Sequence, residues 1–125
     1  MEQFRFRKWK VYQDSQTLFS DIVPVVKALP YEFKSSLGDQ VTRSSLSVVL
    51  SMAEGSGKSS IKELNKFLDI SLGSLYETLA CVDTLRKNNL ITQEQLRKFE
   101  DIIQNICSQL GGFKKKLKAS YTKTT

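Results

Sequence analysis

Residues 92–118 read TQEQLRKFEDIIQNICSQLGGFKKKLK, and their apolar positions recur in alternating steps of three and four. The side chains that follow this spacing are Leu96, Phe99, Ile103, Ile106, Leu110, Phe113 and Leu117. Such a spacing places one apolar stripe on a helix and is typical of helices packed into bundles. Thr92 and Gln95 stand at the spacing of a capping box. We therefore predict a helix over 92–118, with Gly111-Gly112 inside it but not breaking its phase.

Two segments before it also show helical spacing. The first, 8–29, has an apolar stripe of Trp9, Tyr12, Phe19, Ile22, Val23, Val26 and Leu29. Pro24 predicts a kink or a lost hydrogen bond there, and Pro30 ends the segment. The second, 37–55, has an apolar row of Leu37, Val41, Val48 and Met52, with Leu46, Val49, Leu50 and Ala53 beside it. Residues 31–36 are expected to form a loop, and Gly55 and Gly57 to end the second helix in the left-handed conformation.

The third segment, 60–88, opens with Ser60 and Glu63 at capping-box spacing and ends at Asn88-Asn89. Its predicted seam is Ile61, Leu64, Leu68, Leu72, Leu75, Leu79, Val82 and Leu85. Four helices joined by short connections predict an all-α fold, an antiparallel up-down-up-down four-helix bundle. A length of 125 residues with 40% hydrophobic composition suits one domain. We expect a basic segment at 1–7, the bundle at 8–118 and a flexible tail at 119–125.

The net charge of +6 is concentrated at the two ends of the sequence. Residues 1–10 carry four basic residues against one acid, and residues 113–125 carry five lysines and no acid. In the predicted topology both ends and the loop at 55–60 lie at one end of the bundle, the basic pole. Basic clusters are typical of nucleic-acid-binding proteins, although solubility explains them equally well. The candidate phosphate-binding residues are Arg5, Arg7, Lys8, Lys10, Lys58, Lys114, Lys115, Lys116 and Lys118.

The composition excludes several kinds of chemistry. The chain has no histidine, which excludes Ser-His-Asp catalysis, Cys-His catalysis and histidine-based metal sites. Cys81 and Cys107 fall in helical patterns and are predicted to be buried and reduced. We expect no cofactor, no metal and no enzymatic activity. The absence of an apolar leader or of a membrane-length apolar run predicts a cytoplasmic protein with no membrane partner.

The segment Gly55-Ser56-Gly57-Lys58-Ser59 resembles part of a nucleotide-binding loop, but Met52 occupies the place of the first required glycine. The segment also follows a helix rather than a strand. A weaker hypothesis remains, in which the free amides after Ser60 hold one phosphate group.

Polar residues form a narrow stripe on the second helix: Gln40, Arg43, Ser47, Ser51 and Glu54. A shorter row on the third helix contains Ser71, Ser74 and Glu77. A solvated face is one interpretation. A structural polar network is the other, in which Arg43 pairs with Glu77 or Glu54. A catalytic pair formed by Glu54 and Glu77 would lack the histidines of di-iron bundles.

The run QVTRSSLSVVLSMAEG over 40–55 resembles the signature of the bacterial four-helix bundle family, also called the 23S rRNA intervening-sequence protein family. Phe67-Leu68, Ser71, Gly73-Ser74 and Glu77 match its second part, and the segments 9–13 and 30–32 are similar to its start and first loop. Ser51 stands where the family has asparagine, and Ser71 where it has alanine.

The resemblance implies a ring-shaped homopentamer, an association with ribosomal-RNA intervening sequences by gene location, and no established catalytic activity. It also implies kinship in fold with the accessory variability proteins of diversity-generating retroelements, which bind nucleic acid and a reverse transcriptase. We therefore expect a nucleic-acid-binding (RNA or DNA) accessory or scaffold protein. The alternative is a protein-binding adaptor, for example for a reverse transcriptase.

Overall fold

The structure is a computed structural model that describes residues 3–124, with side chains described to residue 120. It contains four long helices: α1 (Lys10–Ala28), α2 (Asp39–Ser56), α3 (Ile61–Lys87) and α4 (Gln93–Thr124). A 3₁₀ turn (Arg5–Lys8) precedes α1. Consecutive helices pack as neighbours and α4 closes on α1, which confirms the predicted four-helix bundle. Within residues 3–124 no helix is both long and apolar enough to cross a membrane.

Local side-chain and backbone bonds set several helix ends. Thr92 and Gln95 form a complete capping box, because each backbone N–H donates to the other side chain, at 2.7 and 3.1 Å. At the start of α3, the Glu63 N–H donates to the Ser60 hydroxyl at 3.1 Å. Asn89 ends α3 with a φ of 57°, and the Leu90 N–H donates to the Leu85 carbonyl at 2.9 Å. This is a Schellman motif in which asparagine takes the left-handed position.

The connection from α1 to α2 differs from the predicted loop over 31–36. Residues Tyr31–Phe33 form a helical turn, and Lys34–Gly38 form a π-helical turn that runs directly into α2. Lys34 fastens this connection, because its Nζ donates to the carbonyl of Lys27 at 2.8 Å and to that of Val26 at 3.3 Å.

The prediction that left-handed glycines end α2 was wrong. Gly55 lies inside the helix and is buried, and Gly57 has a φ of −87°. The reason for Gly55 is close packing: a Cβ atom built on it would lie 2.6 Å from the Phe67 Cβ. Pro24, by contrast, lies exposed within the continuous α1.

The apolar stripe predicted for α4 is confirmed, since Phe99, Ile103, Ile106 and Leu110 are buried. The stripe predicted for α1 was correct at Ile22 and Leu29 but displaced by one residue along most of the rest. The buried positions are Val11, Ser15, Leu18, Ile22, Val25 and Leu29, whereas Phe19 and Val23 are only half-buried. Ser15 is easily missed because its hydroxyl is satisfied within the helix, at 2.7 Å from the Val11 carbonyl.

The buried faces predicted for α2 and α3 were also wrong in part. In α3 the buried row is Leu64, Leu68, Ser71, Leu75, Thr78, Val82 and Leu85, and Leu72 and Leu79 lie at its edge. In α2, Leu46 and Leu50 are exposed, while Ser44 and Ser45 are buried. Small hydroxyl side chains thus occupy core positions where these two helices, which share the most extensive interface, approach closely.

The fourth helix extends past the predicted end at 118, because the backbone is helical to Thr124. Most of the segment expected to be a flexible tail is therefore helical. Residues 1, 2 and 125, which belong to the predicted basic segment and tail, lie outside the described residues.

Candidate functional site

The basic pole is built by contacts that hold the N-terminal turn against the bundle. Trp9 packs edge-on against Phe113 with ring centroids 4.8 Å apart, and Phe6 packs in the same way on Tyr12 at 4.9 Å. Phe4, with a φ of 59°, begins the turn, and its carbonyl accepts from the Arg7 N–H at 3.2 Å. Trp9, which directly follows the turn, is therefore placed beside the C-terminal half of α4, while the turn itself contacts α1 and α2.

Arg5 is engaged within the protein. Its guanidinium lies 5.7 Å from the centre of the Trp9 ring, and its Nη2 is 3.4 Å from the Ser56 carbonyl at the end of α2. A cation at a helix C-terminus is favoured by the helix dipole. The Arg5 Nε is buried and, among the described residues, has no hydrogen-bond partner. Arg5 therefore fastens the N-terminal turn to α2.

Lys10 and Lys58 also have internal partners. The Lys10 Nζ lies 2.5 Å from an Asp14 carboxylate oxygen that also accepts from Gln109 at 2.7 Å. The hydrogen bond from Lys10 is the main reason that the pKa of Asp14 is lowered, while burial opposes it. The Lys58 Nζ is 5.2 Å from the centre of the Phe67 ring and 4.0 Å from a Glu54 oxygen.

Lys114 bridges α4 to α3. Its Nζ donates to the Asn65 Oδ1 at 2.9 Å and pairs with Asp69, and its side chain is only 24% exposed. This partial burial and double pairing make Lys114 a link between helices rather than a loose surface charge.

The remaining predicted phosphate-binding residues are exposed at the pole: Arg7, Lys8, Lys115, Lys116 and Lys118. Lys8 and Lys118 take part in other interactions within the protein. Within residues 3–120 no ion pair is found for Arg7, Lys115 or Lys116. The structure thus brings all nine residues to one end of the bundle, and among residues 3–120 it shows no carboxylate partner for Arg7, Lys115 or Lys116.

The polar stripe divides into two kinds of contact between α2 and α3. Near the surface, Gln40 donates to Glu77 at 2.7 Å, and Ser74 donates to Ser47 at 2.8 Å. In the interior, Ser71 donates to the Val48 carbonyl at 3.1 Å, and Ser51 is 8% exposed. The predicted pairing of Arg43 does not form, because Arg43 is exposed and Glu77 bonds to Gln40 instead.

Two interior members of this network were missed from the sequence. The Thr78 hydroxyl oxygen lies 2.9 Å from the Ser44 hydroxyl oxygen and 2.7 Å from the Ser74 carbonyl oxygen. Their signal is positional: Thr78 follows Leu75 by three residues in α3, and Ser44 lies three residues after Val41 and four before Val48 in α2.

The two thiols are free, Cys81 buried and Cys107 half-buried. Burial raises the pKa of both. Among the described residues there is no cluster of three or more carboxylates and thiols that could hold a metal ion.

The family model described as 23S rRNA-intervening sequence protein matches residues 7–112. The chain belongs to this family. The match covers every helix of the bundle except the end of α4, and it includes the whole α2–α3 polar network.

A solved structure supports membership of the 23S rRNA-intervening sequence protein family at the level of the fold. It is a protein of unknown function from the S23 ribosomal protein family of Bacteroides thetaiotaomicron. The two chains are 25% identical with a TM-score of 0.77, over 84% of this chain and 98% of that one. No curated protein matches the chain.

Proposed function

We propose that this protein is a non-enzymatic, cytoplasmic, oligomeric accessory protein that binds nucleic acid through its basic pole. The observation that carries the proposal is the packing of Trp9 on Phe113, which brings the basic N-terminal turn and the lysine-rich half of α4 together. Arg7, Lys115 and Lys116 then present charge to the solvent at one end of the bundle. Phosphate backbones bind such surfaces with an affinity that depends strongly on salt.

The test compares two triple variants that remove the same charge at opposite ends of the bundle. The first is Arg7→Gln/Lys115→Gln/Lys116→Gln. The matched control is Lys87→Gln/Arg97→Gln/Lys98→Gln, three exposed cations at the other end. Binding of a labelled single-stranded RNA is measured by fluorescence anisotropy over a range of salt concentrations.

The first variant should lower the slope of log Kd against log salt by about 2, because each lost contact to a single strand removes about 0.7. The control should leave the slope unchanged. Absence of binding to RNA and to DNA at low salt would contradict the proposal. If the two variants weakened RNA binding equally, binding would depend on the total charge of the protein and not on the basic pole.

The oligomer in this proposal is the homopentameric ring implied by the resemblance. Its support is an exposed apolar patch on α2 and α3, where Leu50 is 55% and Ile70 is 48% exposed. The Ser47–Ser74 hydrogen bond sets the register of these antiparallel helices, so Leu50 and Ile70 lie at one level. Apolar patches of this kind on a small surface are typical of interfaces.

Sedimentation velocity tests the assembly. Leu50→Ser/Ile70→Ser should convert the oligomer to monomer, whereas Tyr31→Ser, which removes an exposed aromatic at the other end, should not. A wild-type monomer at micromolar concentration would argue against the ring.

A second candidate function is a protein-binding adaptor, for example an accessory subunit of a reverse transcriptase in a diversity-generating retroelement. A groove between α3 and α4 favours a protein partner of some kind. Retained partner capture by Arg7→Gln/Lys116→Gln, which leaves the lysines that line the groove unchanged, would separate this function from nucleic-acid binding.

A further inference from the structure

A surface groove with a volume of about 610 Å³ lies between the first half of α3 and the last part of α4. Three apolar side chains line it: Ile61, Leu72 and Leu117. Ile61 and Leu72 span about 16 Å of α3, or about three helical turns. The groove therefore has the length and the apolar lining that receive one face of a short helix.

Lysines surround the apolar lining of this groove. They are Lys62, Lys114, Lys115 and Lys118, and the residues described as lining the groove include no acid. Lys114 is held in place by Asn65 and Asp69, so one wall is already ordered. An occupant that complements this surface carries carboxylates on both sides of an apolar row.

Gly111 leaves room for a close approach at the groove. It lines the groove in the interior of α4, where glycine is the least favourable residue after proline. Its backbone does not require glycine, because no glycine in the described structure has a positive φ. Nor does packing within the chain, because a Cβ atom built on it would meet nothing within 4 Å. A missing side chain here allows another backbone to approach closely.

We infer that the α3–α4 groove binds an acidic amphipathic helix of a protein partner. Its apolar side chains, at spacing i, i+3 and i+7, pack on Ile61, Leu72 and Leu117, and its backbone passes over Gly111. Its flanking glutamates or aspartates face the lysines. This binding goes beyond the proposed contact with nucleic acid, since a phosphate backbone requires neither the apolar lining nor the glycine.

The test uses a synthetic helical peptide with leucines at i, i+3 and i+7 and glutamates on both sides. Its control has the same composition in scrambled order, so that the leucines share no face. Fluorescence anisotropy measures binding of both peptides to the full chain. The patterned peptide should bind and the scrambled one should bind at least about tenfold more weakly.

Gly111→Leu should fill the groove and weaken peptide binding by about tenfold or more. Because leucine favours the helix and its Cβ atom would meet nothing within 4 Å, the Tm of this variant should equal or exceed that of the wild type. Gly112→Leu is the matched control, since Gly112 is exposed and does not line the groove. It should change peptide affinity by less than about twofold. Lys62→Glu, outside the candidate phosphate-binding set, should also weaken binding by like-charge repulsion.

Three results would overturn the inference. The first is equal binding of the patterned and scrambled peptides. The second is loss of RNA binding in Gly111→Leu, which would make the groove part of the nucleic-acid path. The third is a changed oligomeric state in Gly111→Leu, which would assign the groove to a second copy of this chain. The proposed function is tested by a separate measurement: it fails if the wild type does not bind RNA, whatever the result with the peptides.

Discussion

At the scale of single residues, the fit between α2 and α3 depends on Gly55. Gly55→Ala should lower the free energy of unfolding by about 1–3 kcal/mol, because the new Cβ would overlap Phe67 and press on Leu64. Helix propensity alone would instead predict a higher free energy of unfolding for this change. Gly112→Ala supplies the control: its Cβ meets nothing within 4 Å, so it should raise stability by up to about 1 kcal/mol. Urea denaturation measures the free energy of unfolding of both variants. An unchanged value for Gly55→Ala would show that α2 and α3 can move apart at little cost.

Asp14 makes a second prediction at this scale. Its folded-state pKa is lowered, so its contribution to stability is present above the unfolded value of about 3.8 and is lost as the pH falls through the folded value. Asp14→Asn should reduce the free energy of unfolding at pH 7 by less than about 1 kcal/mol, since its partner Lys10 is largely exposed. The difference should shrink as the pH falls through the folded value and vanish below it. Urea titrations of both proteins at several pH values measure this difference, and a difference that does not change with pH would contradict the role of Asp14.

At the scale of helices, the capping box at Thr92 sets the start of α4. Thr92→Ala should destabilise the fold by about 1 kcal/mol because it leaves the Gln95 N–H without its acceptor. Thr92→Ser keeps the hydroxyl and should change little. Chemical denaturation followed by circular dichroism checks both variants. A loss as large in Thr92→Ser would point to the methyl group instead of the cap.

The helices themselves follow from the sequence, but their buried faces follow only in part. In α4 the three-and-four spacing is carried entirely by large apolar residues, and the predicted stripe is correct. In α1, two neighbouring stripes both satisfy the spacing, and the correct one contains Ser15. In α3, hydropathy favours Leu72 and Leu79, yet Ser71 and Thr78 are buried because their hydroxyls bond to α2 or within α3. Apolar character alone does not identify such positions.

The candidate site could likewise be predicted from the sequence only in part. The clustering of basic residues at one pole follows from topology and charge counting alone. The sequence does not indicate which lysines have partners within the protein. The partners of Lys114, for example, lie on another helix, far away in sequence. The engagement of Arg5 with Ser56 and Trp9 likewise depends on the assembled bundle.

At the scale of the whole molecule, the concentration of like charge at one pole has a cost in stability. Raising salt from about 0.01 to about 0.1 M shortens the Debye length from about 30 to about 10 Å, so the repulsion should weaken and the Tm should rise by a few degrees. Arg7→Gln/Lys115→Gln/Lys116→Gln should reduce this rise, and the three-residue control at the other end should not. Differential scanning calorimetry measures the shifts. If the Tm of all three proteins rose equally with salt, repulsion within the basic pole would make no appreciable contribution to stability.

The packing of Trp9 against Phe113 also has a practical consequence. Trp9 is the chain's single tryptophan, and its indole ring contacts both the Phe113 ring and the Arg5 guanidinium. Tryptophan fluorescence, excited selectively over that of the four tyrosines, therefore reports on this end of the molecule. Emission that changes before the helical circular dichroism signal during unfolding would reveal detachment of the N-terminal turn as a separate local event.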